Sequence, residues 1–152
     1  MNTKEEKYSE IYPQLLSIVE GEPDLIANMA NIAALLHEQF SFWWTGFYRV
    51  ESEDMLVLGP FQGPVACTRI KKGRGVCGTA WSEDTTQVVP DVKQFPGHIA
   101  CSSESKSEIV VPVHDASGRV FAVLDIDSSE YSTFDHIDQK WLEKICEDIF
   151  SR

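Results

Sequence analysis

Cysteines are the residues of this chain best suited to reactive chemistry, and there are four of them: Cys67, Cys77, Cys101 and Cys146. A cysteine reacts as its thiolate, so a reactive one needs exposure and neighbours that stabilise negative charge. A chain of 152 residues is large enough to fold without structural disulfides. In a reducing compartment its thiols are therefore buried, metal-bound or catalytic, and their neighbours decide which.

Cys101 is the strongest candidate for a reacting sulfur. It lies in the segment PGHIACSS (residues 96–103), within an irregular stretch over residues 90–107. Loops of this length inside a domain are usually functional or disordered. His98 and the loop amides could stabilise a thiolate, whereas a cysteine filling an apolar niche is less consistent with the flanking serines. We therefore predict that Cys101 is the nucleophile.

The other three cysteines leave alternatives open. Cys77 lies in the glycine-rich turn GRGVCG (residues 73–78), where a functional thiol and a buried, inert one are equally favoured. Cys67 follows strand-like residues and is a core residue unless the fold brings it near Cys101. Cys146 sits at helical spacing beside core positions, which favours packing.

A zinc site competes with the redox interpretation. Structural zinc sites usually have pairs of ligands two to four residues apart. His98 and Cys101 have that spacing, but no two of the cysteines do. We therefore predict no bound metal.

Three carboxylates form a second candidate group. Glu108 opens one predicted strand, and Asp125 and Asp127 lie near the end of another. Residues two apart on a strand point to the same side, so the two aspartates should face the same space. Neighbouring carboxylates oppose joint ionisation, which keeps a proton available. Such a group could also bind a substrate ammonium; the alternative is a solvated strand end.

Hydrophobic periodicity indicates the elements that must position these groups. Helical spacing covers residues 8–19, 25 to about 39, and the chain from about residue 135, with Thr133 or Asp135 as its cap. Strands are predicted at residues 42–50, 55–58, 65–70, 87–89, 108–113 and 119–127, with a turn at 59–64 and a short helix at 79–82. This order predicts an α+β fold in which terminal helices pack on one face of an antiparallel sheet. We expect one domain over residues 1–152, with N-terminal helices (1–40), sheet and active-site loops (42–127) and a C-terminal helix (135–151).

Charge and composition exclude several classes of function. The net charge is -11, from 24 acidic and 13 basic residues, and such a surface repels a phosphate backbone. No apolar run approaches the ~20 residues that span a bilayer. The first ten residues are polar with mixed charge, unlike a secretory signal. We therefore expect a cytoplasmic protein with no nucleic-acid or membrane partner.

Several motifs together resemble one family, free methionine-(R)-sulfoxide reductase, which is built on a GAF domain. They are WTGFY (44–48), LGPFQG (58–63), AC (66–67), GRGVCGTA (73–80), GHIAC (97–101), SEIV (107–110) and VLDIDS (123–128). The resemblance covers nearly the whole chain from residue 44 to residue 134, and the combination of three cysteines with these frames is specific to the family. The resemblance implies a GAF-like fold with a six-stranded antiparallel sheet flanked by helices.

The resemblance also implies a role for each matched residue. Cys101 matches the nucleophile, Cys67 the cysteine that resolves it as a disulfide, and Cys77 a third cysteine that resolves or shuttles. Glu108, Asp125 and Asp127 match carboxylates that line the substrate site, and Trp44 matches an aromatic wall. Nothing carries over to Cys146.

The same resemblance implies that the protein binds no cofactor and that its reductant is thioredoxin, which NADPH reduces in turn. It also implies a possible homodimer. The expected chemistry is reduction of free methionine-(R)-sulfoxide through a cysteine sulfenic acid. The alternative is a GAF module that senses a small ligand without catalysis. That alternative leaves three matched cysteines unexplained and expects an output domain.

Overall fold

Four α-helices and six strands make up the part of the chain that the computed structural model describes, residues 2–98 and 104–152. The elements are α1 (Lys4–Val19), α2 (Leu25–Phe40), β1 (Trp44–Val50), β2 (Met55–Gln62), β3 (Arg69–Lys71), α3 (Gly75–Glu83), β4 (Gln87–Val89), a 3-10 turn (Val92–Gln94), β5 (Ser107–His114), β6 (Val120–Ser128) and α4 (His136–Phe150). The strands form one antiparallel sheet in the order β3-β2-β1-β6-β5-β4. The predicted α+β class and six-stranded antiparallel sheet are confirmed.

Three helices cover one face of the sheet, which we call the helix face. α2 packs on β1 and β2, α4 packs on β5, and α1 packs against both α2 and α4. Alternate residues of β6, Ala122, Leu124 and Ile126, are fully buried in this core. Because side chains alternate along a strand, the residues between them point to the opposite face.

Side-chain caps fix where the helices begin. Asp135 caps α4 by accepting hydrogen bonds from the backbone N–H groups of Ile137 and Asp138, which confirms one of the two predicted caps. Asp24 caps α2 by accepting from the backbone N–H of Ala27 at 2.8 Å. These carboxylates satisfy amide groups that have no partner inside the helix.

The opposite face of the sheet carries only the short helix α3, and we call it the α3 face. Its apolar core joins Val76, Ala80 and Trp81 of α3 to Val110 and Val123 of the central strands. One nine-residue helix covers less area than three helices do. The ends of β1, β5 and β6 therefore remain open to a cavity on this side.

Two predicted boundaries were wrong near residue 60. Residues 59–62 of the turn expected at 59–64 are instead strand, because β2 continues to Gln62. Pro60 has no N–H to donate, but β3 pairs only with Met55 to Val57, so this part of β2 is a sheet edge that tolerates proline. The strand expected at 65–70 is only β3, Arg69–Lys71, and Val65 is 89% exposed.

The glycine-rich segment around Cys77 also differs from expectation. Helix α3 begins at Gly75 rather than at residue 79, so Cys77 lies in its first turn. Glycine is unfavourable in the interior of a helix, which is why the glycine-rich pattern at residues 73–78 predicted a turn. Gly78 is needed because a Cβ there would lie 2.5 Å from the carbonyl oxygen of Lys71. Among the described residues, no helix has the length and apolar content needed to cross a membrane.

Candidate active site

A cavity opens on the α3 face, above the ends of the central strands. Its volume is about 60 Å³, several times the ~10–15 Å³ that one water needs on the same measure. Five predicted site residues line it: Trp44, Cys77, Glu108, Asp125 and Asp127. Cys101, the predicted nucleophile, falls in residues 99–103 and lies outside the described residues.

Strand register brings the three carboxylates together. Asp127 of β6 pairs with Trp44 of β1 on one side and with Glu108 of β5 on the other. Asp125, two residues earlier on β6, pairs with Gly46. As the two-residue period predicts, both aspartates line the cavity. Directly opposed strand residues have neighbouring side chains, so the acids form one cluster.

Burial keeps protons on this cluster. Glu108 and Asp125 are 7% and 6% exposed. Burial and the charge of Asp125 raise the pKa of Glu108 and of Asp127 well above their usual range. Burial also raises the pKa of Asp125, but the Glu108 and Cys77 side chains donate toward it and oppose that rise. Within the cluster, ionisation is therefore favoured at Asp125, whose pKa is raised less than those of Glu108 and Asp127.

Cys77 faces this acid cluster from the first turn of α3. Its thiol is free, and the residue is buried with 4% exposure. Burial, followed by the neighbouring carboxyl groups of Asp125 and Glu108, raises the pKa of the thiol well above its usual range. Cys77 is therefore protonated at rest. Its sulfur, with oxygens of Glu108 and Asp125, is also a candidate set of metal ligands.

Trp44 forms an aromatic wall held from three directions. Its indole N–H donates to the carbonyl oxygen of Pro64 at 3.0 Å. The ring stacks between Phe61, at a centroid distance of 5.2 Å, and Tyr48, at 5.9 Å. Gly46 leaves room for it, because a Cβ at that position would lie 2.6 Å from Trp44 Cη2. The wall is thus fixed before any substrate binds.

Tyr48 is a functional candidate that the sequence analysis missed. It lines the cavity, and its hydroxyl donates to the carbonyl oxygen of Cys67 at 2.8 Å. This bond ties the segment that carries Cys67 to β1. The two-residue period that puts Trp44 and Tyr48 on one face of β1 was a signal that could have found it. Cys67 itself is disulfide-bonded.

Ser105 and His98 also line the cavity. The Ser105 hydroxyl donates to Asp127 Oδ1 at 3.0 Å, which orients that carboxyl group. Burial lowers the pKa of His98, so the ring is neutral near pH 7. A neutral ring offers a hydrogen bond rather than the positive charge that would most strongly stabilise a thiolate.

Cys146 lies apart from the site. It is 2% exposed within the helix-face core. Burial raises the pKa of its thiol to about 12. The predicted packing role is confirmed.

Comparison with known proteins identifies the family. The chain matches the family model of the GAF domain over residues 20–150. It is 57% identical over 143 residues to GAF domain-containing protein A of Dictyostelium discoideum, covering 94% of this chain and 90% of that protein. It is 45% identical over 147 residues to the free methionine-R-sulfoxide reductase of Saccharomyces cerevisiae, covering 90% and 82%. The X-ray structure of free methionine-R-sulfoxide reductase from Neisseria meningitidis in complex with its substrate has a TM-score of 0.95 and 50% identity, covering 98% of this chain and 89% of that one. The chain therefore belongs to the free methionine-R-sulfoxide reductases, a family of oxidoreductases built on the GAF domain.

Proposed function

We propose that this protein reduces free methionine-R-sulfoxide to methionine by thiol chemistry. One observation carries the proposal: an aromatic wall, three carboxylates, two of them buried, and a buried thiol line a single cavity. Free methionine sulfoxide presents an ammonium group, a polar S=O group and an apolar methyl group, and the cavity offers a partner for each. Membership of the reductase family supports the same assignment.

The carboxylates divide the work of binding and proton transfer. Asp125, which carries the negative charge, accepts hydrogen bonds from the substrate ammonium. Glu108 or Asp127 donates a proton to the sulfoxide oxygen, because burial raises the pKa of both carboxyl groups and so favours their protonated forms. Protonation of the oxygen makes the sulfur more electrophilic. Trp44 and Tyr48 pack against the apolar end of the substrate.

Cys101 then reacts as the nucleophile. Its thiolate attacks the substrate sulfur, the S–O bond breaks with the oxygen passing to Cys101, and methionine leaves. Cys101 is left as a sulfenic acid, having been oxidised by two electrons while the substrate was reduced. The Cys67 thiol condenses with it, releasing water and forming a disulfide. Cys77, whose thiol is protonated, serves as a later relay.

An external dithiol completes the cycle by thiol–disulfide exchange. We propose thioredoxin, reduced by NADPH, as that dithiol, in the cytosol where such reductants keep thiols reduced. No resident cofactor is required, because the electrons enter through sulfur.

The homodimer implied by the resemblance stays a prediction, which light scattering on the purified protein checks.

A stereospecific turnover assay tests the proposal. We expect the purified protein, with thioredoxin and NADPH, to reduce free methionine-R-sulfoxide but neither the S epimer nor a peptide-bound sulfoxide. Cys101→Ser should abolish turnover, and Cys67→Ser should release one methionine per chain and then stop. Cys146→Ser is the matched control, since its buried thiol lies outside the cavity, and should retain activity. Full activity of Cys101→Ser would refute the nucleophile, and binding without turnover would favour a sensor.

A further inference from the structure

The floor of the cavity has the ligand set of a small metal site. The sulfur of Cys77 and one carboxylate oxygen each of Glu108 and Asp125 lie within 4.8 Å of one another, and all three residues are buried. A tetrahedral zinc ion with bonds of about 2.0–2.3 Å holds its ligand atoms about 3.3–3.8 Å apart. Small side-chain rotations that shorten the distances between the three ligand atoms by about 1 Å would therefore let them bind one ion. This set is not evident from the sequence, because its members are distant in the chain.

A second observation points to a missing ligand. Oδ1 of Asp125 is buried and has no hydrogen-bond partner among the described residues. The residue as a whole is only 6% exposed to solvent. Buried polar atoms are nearly always paired, and an unpaired one is costly. No ion pair in the described part of the chain involves Asp125 or Glu108. A cation bound in the cavity would satisfy the unpaired oxygen of Asp125.

We propose that the reduced, substrate-free site binds one thiophilic divalent cation, such as Zn²⁺, through Cys77, Glu108 and Asp125. One sulfur with two oxygens suits a borderline-soft ion and is a poor site for Mg²⁺ or Ca²⁺, which take oxygen ligands. The thiol loses its proton to solvent as the metal–sulfur bond forms. The fourth position of the tetrahedron is left to water.

Such binding inhibits the enzyme. This consequence rests on the proposed function, in which the same carboxylates hold the substrate ammonium and supply the proton. A cation bound by them excludes the substrate, so inhibition by Zn²⁺ is competitive with methionine sulfoxide. Removal of the ion by a chelator restores activity. The site thus couples the reductase to the concentration of free thiophilic metal.

Cadmium absorbance tests the metal site without using activity. Cd²⁺ is added to the full chain, kept reduced by a phosphine, and the ultraviolet thiolate-to-cadmium absorption band is recorded. We expect one equivalent to bind and Mg²⁺ to have no effect. Cys77→Ser should abolish the band, whereas Cys146→Ser, Cys67→Ser and Cys101→Ser should keep it. Asp125→Asn, which retains the thiol, should weaken binding at least about tenfold, since loss of even an outer partner of a metal ligand typically costs that much.

The outcomes separate this inference from the proposed function. An unchanged band in a folded Cys77→Ser protein, or loss of the band in Cys101→Ser, overturns the site. Turnover by the metal-free enzyme with no cadmium band also overturns it and leaves the proposed function intact. A band in a protein that reduces no sulfoxide upholds the metal site and refutes the proposed function.

Discussion

Replacing Glu108 with glutamine should stabilise the protein at neutral pH while impairing catalysis. Burial and the charge of Asp125 raise the pKa of Glu108 well above its usual range. In the unfolded chain a glutamate ionises above about pH 4.3. The native state therefore retains a proton that the unfolded state releases. Stability from this group is fully present below that pH and is lost as pH rises toward the native pKa.

The size of the effect follows from linkage. Each proton retained only by the native state lowers the free energy of unfolding by about 1.4 kcal/mol per pH unit. Between pH 5 and pH 7 this amounts to about 2.7 kcal/mol for a proton that stays bound throughout. Glutamine keeps the shape of the protonated side chain and cannot ionise. The stability difference between Glu108→Gln and the original protein should therefore grow by up to that amount over this range.

Urea unfolding of the reduced protein at pH 5, 6 and 7 measures the difference. Glu53→Gln is the matched control, because Glu53 is exposed in the turn between β1 and β2. Its comparison with the original protein measures the effect of losing a surface carboxylate at each pH. A pH-independent difference for Glu108→Gln would show that Glu108 is ionised in the native state and would refute the assignment of protons within the cluster.

Two further predictions concern the walls of the cavity. Tyr48→Phe removes the hydrogen bond to the Cys67 carbonyl, so disulfide formation after sulfoxide addition should slow about two- to tenfold, the equivalent of about 0.5–1.5 kcal/mol. Rapid-quench thiol titration measures this, and an unchanged rate relative to the exposed control Tyr131→Phe would contradict it. Gly46→Ala places a Cβ 2.6 Å from Trp44 Cη2, so the ring must move at a cost of about 1–3 kcal/mol. Steady-state kinetics should show a raised KM for free methionine sulfoxide; an unchanged KM would mean that the Trp44 wall does not bind substrate.

Local patterns predicted the fold well where neighbouring residues determine it. Asp125 and Asp127 share a face because they are two residues apart on one strand. The hairpin of β5 and β6 then brings Glu108 opposite Asp127 through a short connection. The pairing of Trp44 with Asp127 is different, because it joins strands 83 residues apart in the chain, from position 44 to position 127. Period and composition carry no information on such a register.

The site chemistry could be predicted only in part, because electrostatics depend on packing. The glycine-rich segment around Cys77 suggested a turn in which a functional thiol and a buried, inert one are equally favoured. The structure instead places the Cys77 thiol against carboxylates, which raises its pKa. The close approach of α3 to the backbone of Lys71 requires glycine at position 78. That same glycine made the segment look like a turn rather than a helix. Long-range packing thus decided both the helix and the protonation of its cysteine.

Strand β6 serves two environments at once, since Leu124 and Ile126 enter the helix-face core while Asp125 and Asp127 enter the cavity. Inserting or deleting one residue before this segment would exchange the two sets. The two aspartates would then enter the apolar core of the helix face, and apolar side chains would line the cavity in their place. The same alternation along β6 sets both its core residues and its cavity residues. Any change of length must therefore occur in the loop at residues 115–118, outside the alternating segment.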